Sequence, residues 1–215
     1  AEVTGVDALH PGYGFLSENA ELASICAEYK IKFIGPKPEH ILKLGNKVEA
    51  RAAAVRAKVP LLPGSQGVVR SVEEAHAVAA KIGFPVIIKA AAGGGGRGMK
   101  IVEEAKDLER QFRLAQSEAQ TGFGNPDCFI ERFCRNPRHV EVQIVADEHG
   151  NIAHLGERDC SIQRRHQKLV EEAPCPIMDK RLRRKIGDTA VRLAKEVGYC
   201  SLGTVEYLLD EDGRF

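Results

Sequence analysis

A lysine closes a short apolar run and a glycine-dense loop follows it in Pro85-Val86-Ile87-Ile88-Lys89-Ala90-Ala91-Ala92-Gly93-Gly94-Gly95-Gly96-Arg97-Gly98-Met99-Lys100-Ile101-Val102. Where no Cβ intervenes, backbone N–H groups crowd around an anion, and a lysine at the strand end adds a point charge. That is a way of holding phosphate. Two familiar patterns match it only in part. Gly93, Gly95 and Gly98 have G-x-G-x-x-G spacing, but the dinucleotide fingerprint needs a helix to start within the loop. Here Met99–Val102 reads as a strand. Gly93 and Gly98 also have P-loop spacing, yet Met99 stands where that motif requires lysine. A strand–loop–strand lid laid over a nucleotide remains, since a plain low-complexity linker carries neither flanking strands nor a strand-end lysine.

Three further groups of polar residues bear on chemistry. In His139-Val140-Glu141-Val142-Gln143-Ile144, alternation puts the aliphatic residues on one face of a strand and His139, Glu141 and Gln143 on the other. That second face is either solvated or a set of ligands for metal, phosphate or hydroxyl. The stretch from Glu157 to Pro174 is dense in charge, and Arg164, Arg165 and Lys168 alone would suit nucleic acid. Glu157, Asp159, Glu171 and Glu172 neutralise them within a few residues, which argues against that partner. A strand-bracketed loop of this composition suits a small anionic substrate beside a nucleotide. Glu206 is a lone acid in Gly203-Thr204-Val205-Glu206-Tyr207-Leu208-Leu209. It is an outward-facing glutamate or a magnesium carboxylate. Lys47, in Gly45-Asn46-Lys47-Val48, would ordinarily be a helix-surface lysine.

The elements that must position these groups follow from periodicity and breakers. Asp7–Leu9 reads as a strand tip, His10–Gly14 as a tight loop, Glu18–Glu28 as a helix and Lys32–Ile34 as a strand ended by Gly35-Pro36. That order belongs to an open α/β unit. Helices over 38–44 and 47–58 lead to a boundary at Pro60 and Pro63-Gly64. Beyond it come helix 71–82, the strand–loop–strand, helix 104–120 and strand 128–132. Strands 138–146 and 152–158 flank a hairpin loop at 147–151, and helix 179–197 and strand 203–209 follow. The 215 residues can bury a real core, and 43% hydrophobic with 28% charged residues is ordinary for a globular chain. A net charge of +1 offers no bulk attraction to nucleic acid or to anionic membranes. Apolar runs are far shorter than a membrane span, and no charged-then-apolar leader opens the chain. Cys26, Cys128, Cys134, Cys160, Cys175 and Cys200 form no C-x-x-C pair or zinc spacing. They read as buried thiols of a reducing compartment. The chain opens in mid-pattern, and its Asp212-Gly213 turn calls for a returning strand, as in a piece cut from a longer polypeptide.

These segments together resemble the biotin carboxylase component of biotin-dependent carboxylases, an ATP-grasp family. The matching stretches are His10–Asn19, Phe33–Pro36, Gly45–Val48, Val86–Met99, Asn136–Gln143, Glu157–Pro174 and Gly203–Leu208. The resemblance implies an α/β ATP-grasp fold. Residues 1–34 would be the end of an N-terminal open α/β unit, 35–61 a helical linker, 62–132 the complete lid and 133–215 part of a C-terminal antiparallel sheet. It implies ATP with Lys47 and Lys89 on the phosphates and Gly95 and Gly96 in the closing lid. Glu131, Arg132, Phe133 and Cys134 would form the hinge against adenine, and His139, Gln163 and His166 would complete the nucleotide site. Glu141 and Lys168 would face bicarbonate, and Glu206 would bind Mg²⁺, for which Mn²⁺ can substitute.

Bicarbonate would attack the γ-phosphate to give carboxyphosphate, and the derived carbon dioxide would carboxylate biotin on a carrier. The implied partners are a biotin carboxyl carrier protein or domain, a carboxyltransferase subunit or domain, and a second copy of the full-length chain. Nucleic acid and membranes are not among them. The setting would be the cytoplasm or the mitochondrial matrix, and the acceptor that of an acetyl-CoA, propionyl-CoA or pyruvate carboxylase, the first belonging to fatty acid biosynthesis. The family's second magnesium glutamate and its Asn-x-Arg-x-Gln-x-Glu segment have no counterpart before Phe215, so these residues alone are expected to lack carboxylase turnover. A carbamoyl-phosphate synthetase-like ligase and a non-catalytic nucleotide-binding module are the rival readings. Arg165-His166-Gln167-Lys168 favours biotin carboxylase.

Overall fold

The computed structural model describes residues 1–12, 14–91, 99–164 and 167–215, without the side chains of Glu2 and Lys47. The described residues form two compact units: one of Ala1–Pro60, Arg138–Ser161 and Val170–Phe215, the other of Leu61–Pro137 and Ile162–Leu169.

The second unit is a three-stranded antiparallel sheet backed by two helices. The helices are α4 (Val72–Ile82) and α5 (Leu108–Phe123); the strands are β3 (Val86–Ala90), β4 (Met99–Val102) and β5 (Cys128–Arg132), in the order β4-β3-β5. Ser71 caps α4 by accepting the Glu74 amide, one of the first turn's loose donors, while the Glu74 carboxylate takes the Arg70 amide. Gly124 ends α5 at φ 69°, a left-handed conformation that glycine adopts at no steric cost. Leu108, Phe112 and Ala115 of α5 pack on Val86 and Ile88 of β3, Val102 of β4 and Ile130 of β5, all of them buried. Each large side chain so buried contributes about 1.5–3 kcal/mol. Because β3 alternates, turning Val86 and Ile88 to the helices places Ile87 and Lys89 on the opposite face.

The first unit holds two sheets. Strands β1 (Ala8–Leu9) and β2 (Lys32–Phe33) pair in parallel around α1 (Ala20–Glu28), with Ala23, Cys26 and Phe33 as their core. Asn19 caps α1 from the Leu22 amide, and Phe15–Glu18 is a 3-10 turn, so the α-helix starts two residues later than its pattern suggests. Helices α2 (Pro38–Gly45) and α3 (Lys47–Arg56) follow. The larger sheet, in the order β8-β7-β6-β9, comprises β6 (Arg138–Ala146), β7 (Ile152–Arg164), β8 (Gln167–Glu172) and β9 (Ser201–Leu209), of which residues 162–164 and 167–169, at the β7 and β8 ends, count with the second unit. Ile186, Ala190 and Ala194 of α6 (Lys180–Val197) pack on Val140, Val142 and Ile144, the aliphatic face that alternation predicts.

One expectation is corrected here. The stretch from Glu157 to Pro174 is not a loop: β7 runs on to Arg164 and β8 takes up Gln167–Glu172. Its charges do not break the strand because they have partners. Glu157, on the α6 side, accepts from Arg183 Nε at 2.7 Å and from the Cys175 amide at 3.2 Å. Asp159 accepts from Arg138 and Ser161. The cysteines are free thiols, five of them buried, and burial followed by the Asp127 charge pushes Cys128 up to about 11. Among the described residues no helix is long and apolar enough to cross a membrane.

Candidate functional site

In the second unit, the antiparallel register sets Lys89 opposite Phe129 and Ile87 opposite Glu131, which makes Lys89 and Glu131 diagonal neighbours on one face. Lys89 Nζ donates to Glu131 Oε2 at 2.6 Å, with the two side chains 32% and 22% exposed. A half-buried ammonium held this way loses less freedom when it meets an anion than a surface lysine would. The glutamate is seated by the segment beside it. Gly64 bridges to Glu131, the Ser65 amide donates to Ile130 O at 2.8 Å and the Arg132 amide to Pro63 O at 2.8 Å. A Cβ on Gly64 would lie 2.7 Å from Ile130 O, so only glycine permits this approach. The Phe133 amide is also committed, to Pro85 O at 2.9 Å. Arg132 and Phe133 therefore have no amide hydrogen left for a bound base.

In the first unit a polar row crosses the large sheet. Glu206 on β9 is opposite Glu141 on β6, which is opposite Arg158 on β7. Arg158 Nε donates to Glu141 Oε1 at 2.6 Å, Arg158 Nη1 to Gln143 Oε1 at 3.2 Å, and Glu171 Oε2 on β8 lies 3.7 Å from Arg158 Nε. His139 Nε2 lies 3.5 Å from Glu206 Oε1. The face predicted as solvated or ligating is thus not solvated at its centre, since Glu141 is 4% exposed. Oxygens of Glu141 and Glu171 and the buried Cys160 thiol lie within 4.8 Å of one another.

Two carboxylates directly opposite one another repel. Among the described residues Glu206, Glu141 and Glu171 set three carboxylates around the Arg158 guanidinium. Hard oxygen donors on neighbouring strands are of the kind that a magnesium ion takes when it also carries phosphate.

Behind the row, Asp159 steadies His139. Burial opposes its ionisation, but hydrogen bonds from the Ser161 hydroxyl and amide, from Arg138 and from the Cys175 thiol outweigh that and hold its carboxyl below the usual range. The same Ser161 Oγ accepts the His139 amide at 3.0 Å.

The structure therefore brings together Lys89 with Glu131, and His139 and Glu141 with Glu206. Arg132, Phe133 and Cys134 follow Glu131 directly in the chain. Lys47 is the first residue of α3, where Asn46 caps the helix, and its side chain lies outside the described residues. Gln163 near the end of β7 and Lys168 in β8 are half-buried members of the second unit. Gly95, Gly96 and His166 lie outside the described residues. Sequence reasoning missed Arg158, Cys160 and Glu171 as members of the row, and Gly64 as the seat of Glu131. The β6–β7 register reveals Arg158, and side-chain proximity reveals Cys160 and Glu171. A cavity of about 630 Å³ between α1, β2 and the β6–β7 turn contains none of the expected site residues.

Residues 46–215 match the model of the carbamoyl-phosphate synthase L chain ATP-binding domain, and residues 1–41 that of the biotin carboxylase N-terminal domain. The chain is 53% identical over 214 residues to mitochondrial pyruvate carboxylase of Rattus norvegicus, spanning 100% of this chain and 18% of that one. It is 54% identical over 211 residues to chloroplastic biotin carboxylase of Arabidopsis thaliana, spanning 98% of this chain and 39% of that one. Among solved structures, the biotin carboxylase domain dimer of Hydrogenobacter thermophilus 2-oxoglutarate carboxylase, in complex with MgADP, ADP and bicarbonate, superposes with a TM-score of 0.88. The two are 47% identical, covering 99% of this chain and 47% of that one. The chain thus spans from about a fifth to about half of the proteins it resembles.

Proposed function

The chain belongs to the ATP-grasp family of biotin carboxylase N-terminal and ATP-binding domains, and on that premise we propose that it carries the ATP- and bicarbonate-handling part of a biotin carboxylase. The activity is carboxylation of biotin on a carrier through carboxyphosphate, with Glu141 and Lys168 facing bicarbonate. The observation that carries this reading is the row Glu206–Glu141–Arg158–Glu171 with His139 beside it. A magnesium ion would be held by Glu206 with Glu141 near, and when bound it would offset phosphate charge. The biotin carboxylase match at residues 1–41 favours this substrate over that of a carbamoyl-phosphate synthetase.

Phosphoryl transfer asks for positioning and charge compensation more than covalent help. Lys89 and Lys47 would meet the phosphates, with Gly95 and Gly96 in the lid that closes on them. Glu131 would accept from the adenine amino group. Arg132, Phe133 and Cys134 would complete that hinge, the first two without their amides. His139, Gln163 and His166 would finish the nucleotide site. Lid closure over 62–132 would keep water from a labile mixed anhydride. The carrier, a carboxyltransferase and a second copy of the chain would be its partners.

The test is isotopic. With ¹⁸O-bicarbonate, attack on the γ-phosphate leaves one label in the released phosphate; attack by water leaves none. Label in phosphate that depends on biotin turnover and is lost in Lys89→Ala supports the reading. Unlabelled phosphate, or Lys89→Ala turning over ATP like the parent, overturns it.

A further inference from the structure

We infer that Arg158 is the positioning residue for Glu141, the group that sets where its carboxylate stands. The inference deepens the reading above, since it rests on Glu141 facing bicarbonate.

Arg158 is opposite Glu141 in the β6–β7 register, and its Nε and Nη2 both lie 2.6 Å from the same oxygen, Oε1. The Arg158 side chain is 27% exposed and that of Glu141 6%, so little water competes for this contact. The guanidinium is itself held from two strands. Its Nη1 donates to Gln143 Oε1 at 3.2 Å, and Glu171 on β8 lies 3.7 Å from its Nε. Gln143 is pinned in turn, its Nε2 donating to Gly203 O at 2.9 Å and Ile144 O at 3.2 Å. A planar fork with five donors in a rigid frame can satisfy these groups together, whereas the single ammonium of lysine cannot. Glu141 also stands opposite Glu206, a like charge on the β9 side, while Arg158 draws the carboxylate toward β7. The carboxylate is therefore aimed by a residue on the next strand rather than by its own backbone. Arg158 acts through Glu141 and need not touch substrate.

The experiment uses the intact protein that contains this chain and measures bicarbonate-dependent ATP hydrolysis with both substrates varied. It compares Arg158→Lys, Arg158→Gln, Glu141→Gln and the double variant. Arg158→Lys keeps the charge and guards against a variant that fails to fold, and thermal unfolding is followed for each. The expected result is a bicarbonate KM raised about tenfold or more in both Arg158 variants, the loss expected for one charge-assisted hydrogen bond. The ATP KM should stay within about twofold. The double variant should be no worse than the worse single one. Free guanidinium ion, added to Arg158→Gln at millimolar concentration, should restore part of the bicarbonate affinity. Equal shifts of both KM values, additive effects in the double variant, or full activity in Arg158→Lys would each overturn the positioning role. If the Arg158 variants are silent while Glu141→Gln is impaired, only this inference falls. If Glu141→Gln leaves the bicarbonate KM unchanged, the bicarbonate reading of Glu141 falls and takes the inference with it.

Discussion

Replacing Asp159 with asparagine isolates what a buried carboxylate does for the sheet. The side chain is 3% exposed. Its Oδ1 accepts from the Ser161 amide at 2.9 Å and the Ser161 hydroxyl at 2.5 Å; its Oδ2 accepts from Arg138 Nη1 at 2.8 Å and from the Cys175 thiol at 3.5 Å. Both oxygens thus face donors only. Asparagine offers one oxygen and one NH₂, so in either orientation a donor meets a donor on one side. Losing a hydrogen bond to a charged group and stranding its partner in a buried site costs about 2–4 kcal/mol. For a chain of this length that lowers the melting temperature by about 5–12 °C.

The pH dependence gives a second reading. The Asp159 carboxyl is held below its usual range, so its contribution is present above the unfolded value, near 3.9, and is lost only as pH falls through the lower folded value. The gap between parent and Asp159→Asn should stay constant from pH 7 to pH 5 and close below about pH 4. Thermal unfolding by circular dichroism across that range measures it. A gap under about 1 kcal/mol at pH 7, or one that already narrows by pH 5, would refute the reasoning.

Gly64→Ala should destabilise the chain by about 1–3 kcal/mol and weaken ATP binding, because the new Cβ meets Ile130 O at 2.7 Å and Glu131 Cγ at 3.0 Å; an unchanged urea midpoint would argue against that close approach. His40 is buried, its Nδ1 without a hydrogen-bond partner among the described residues, and stacks on Tyr199 at 5.5 Å; burial, ahead of opposition from Glu39 and support from Lys37 and Lys43, lowers its pKa. Its neutral form then favours the fold above about pH 6.5, and that advantage fades as pH falls, so His40→Phe should flatten the drop in melting temperature between pH 7.5 and 5.5, and an identical drop in both proteins would count against it.

How much of this was legible without coordinates depends on whether a feature is local. Alternation in Val140, Val142 and Ile144 predicts the face that meets α6, and the strand-end position of Lys89 follows from Val86–Ile88. The extent of β7 did not follow. The predicted strand stops at Arg158, because charged groups are costly to bury, and the partners that remove the cost for Glu157 and Asp159, Arg183 and Arg138, are 26 and 21 residues away. Arg158, Cys160 and Glu171 were invisible for a related reason. The neighbour across from Arg158 is set by register, where one residue of slip would turn it to the other face, and Cys160 and Glu171 join it only through side-chain proximity in space. The resemblance named Glu141 and Glu206; that they stand opposite one another required the β6–β9 ladder.

The two faces of β7 explain why so polar a segment can be a strand at all. Glu157 and Asp159 point toward the α6 side, each with a dedicated cation, Arg183 or Arg138; Arg158 and Cys160 point to the side of Glu141. Removing one partner from a buried pair leaves a charge that nothing nearby can solvate. The Asp159–Arg138 pair ties β7 to β6 and the Glu157–Arg183 pair ties β7 to α6, so together they resist the sliding that aliphatic residues tolerate. That lock is what aims the second set. It has a direct link to the site as well, since Asp159 holds the Ser161 hydroxyl, and that hydroxyl takes the amide of His139. A carboxylate on the far face of the sheet thereby bears on where the histidine beside Glu206 stands. The charges of a stretch expected to leave the sheet after Arg158 thus give the row on the other face a defined geometry.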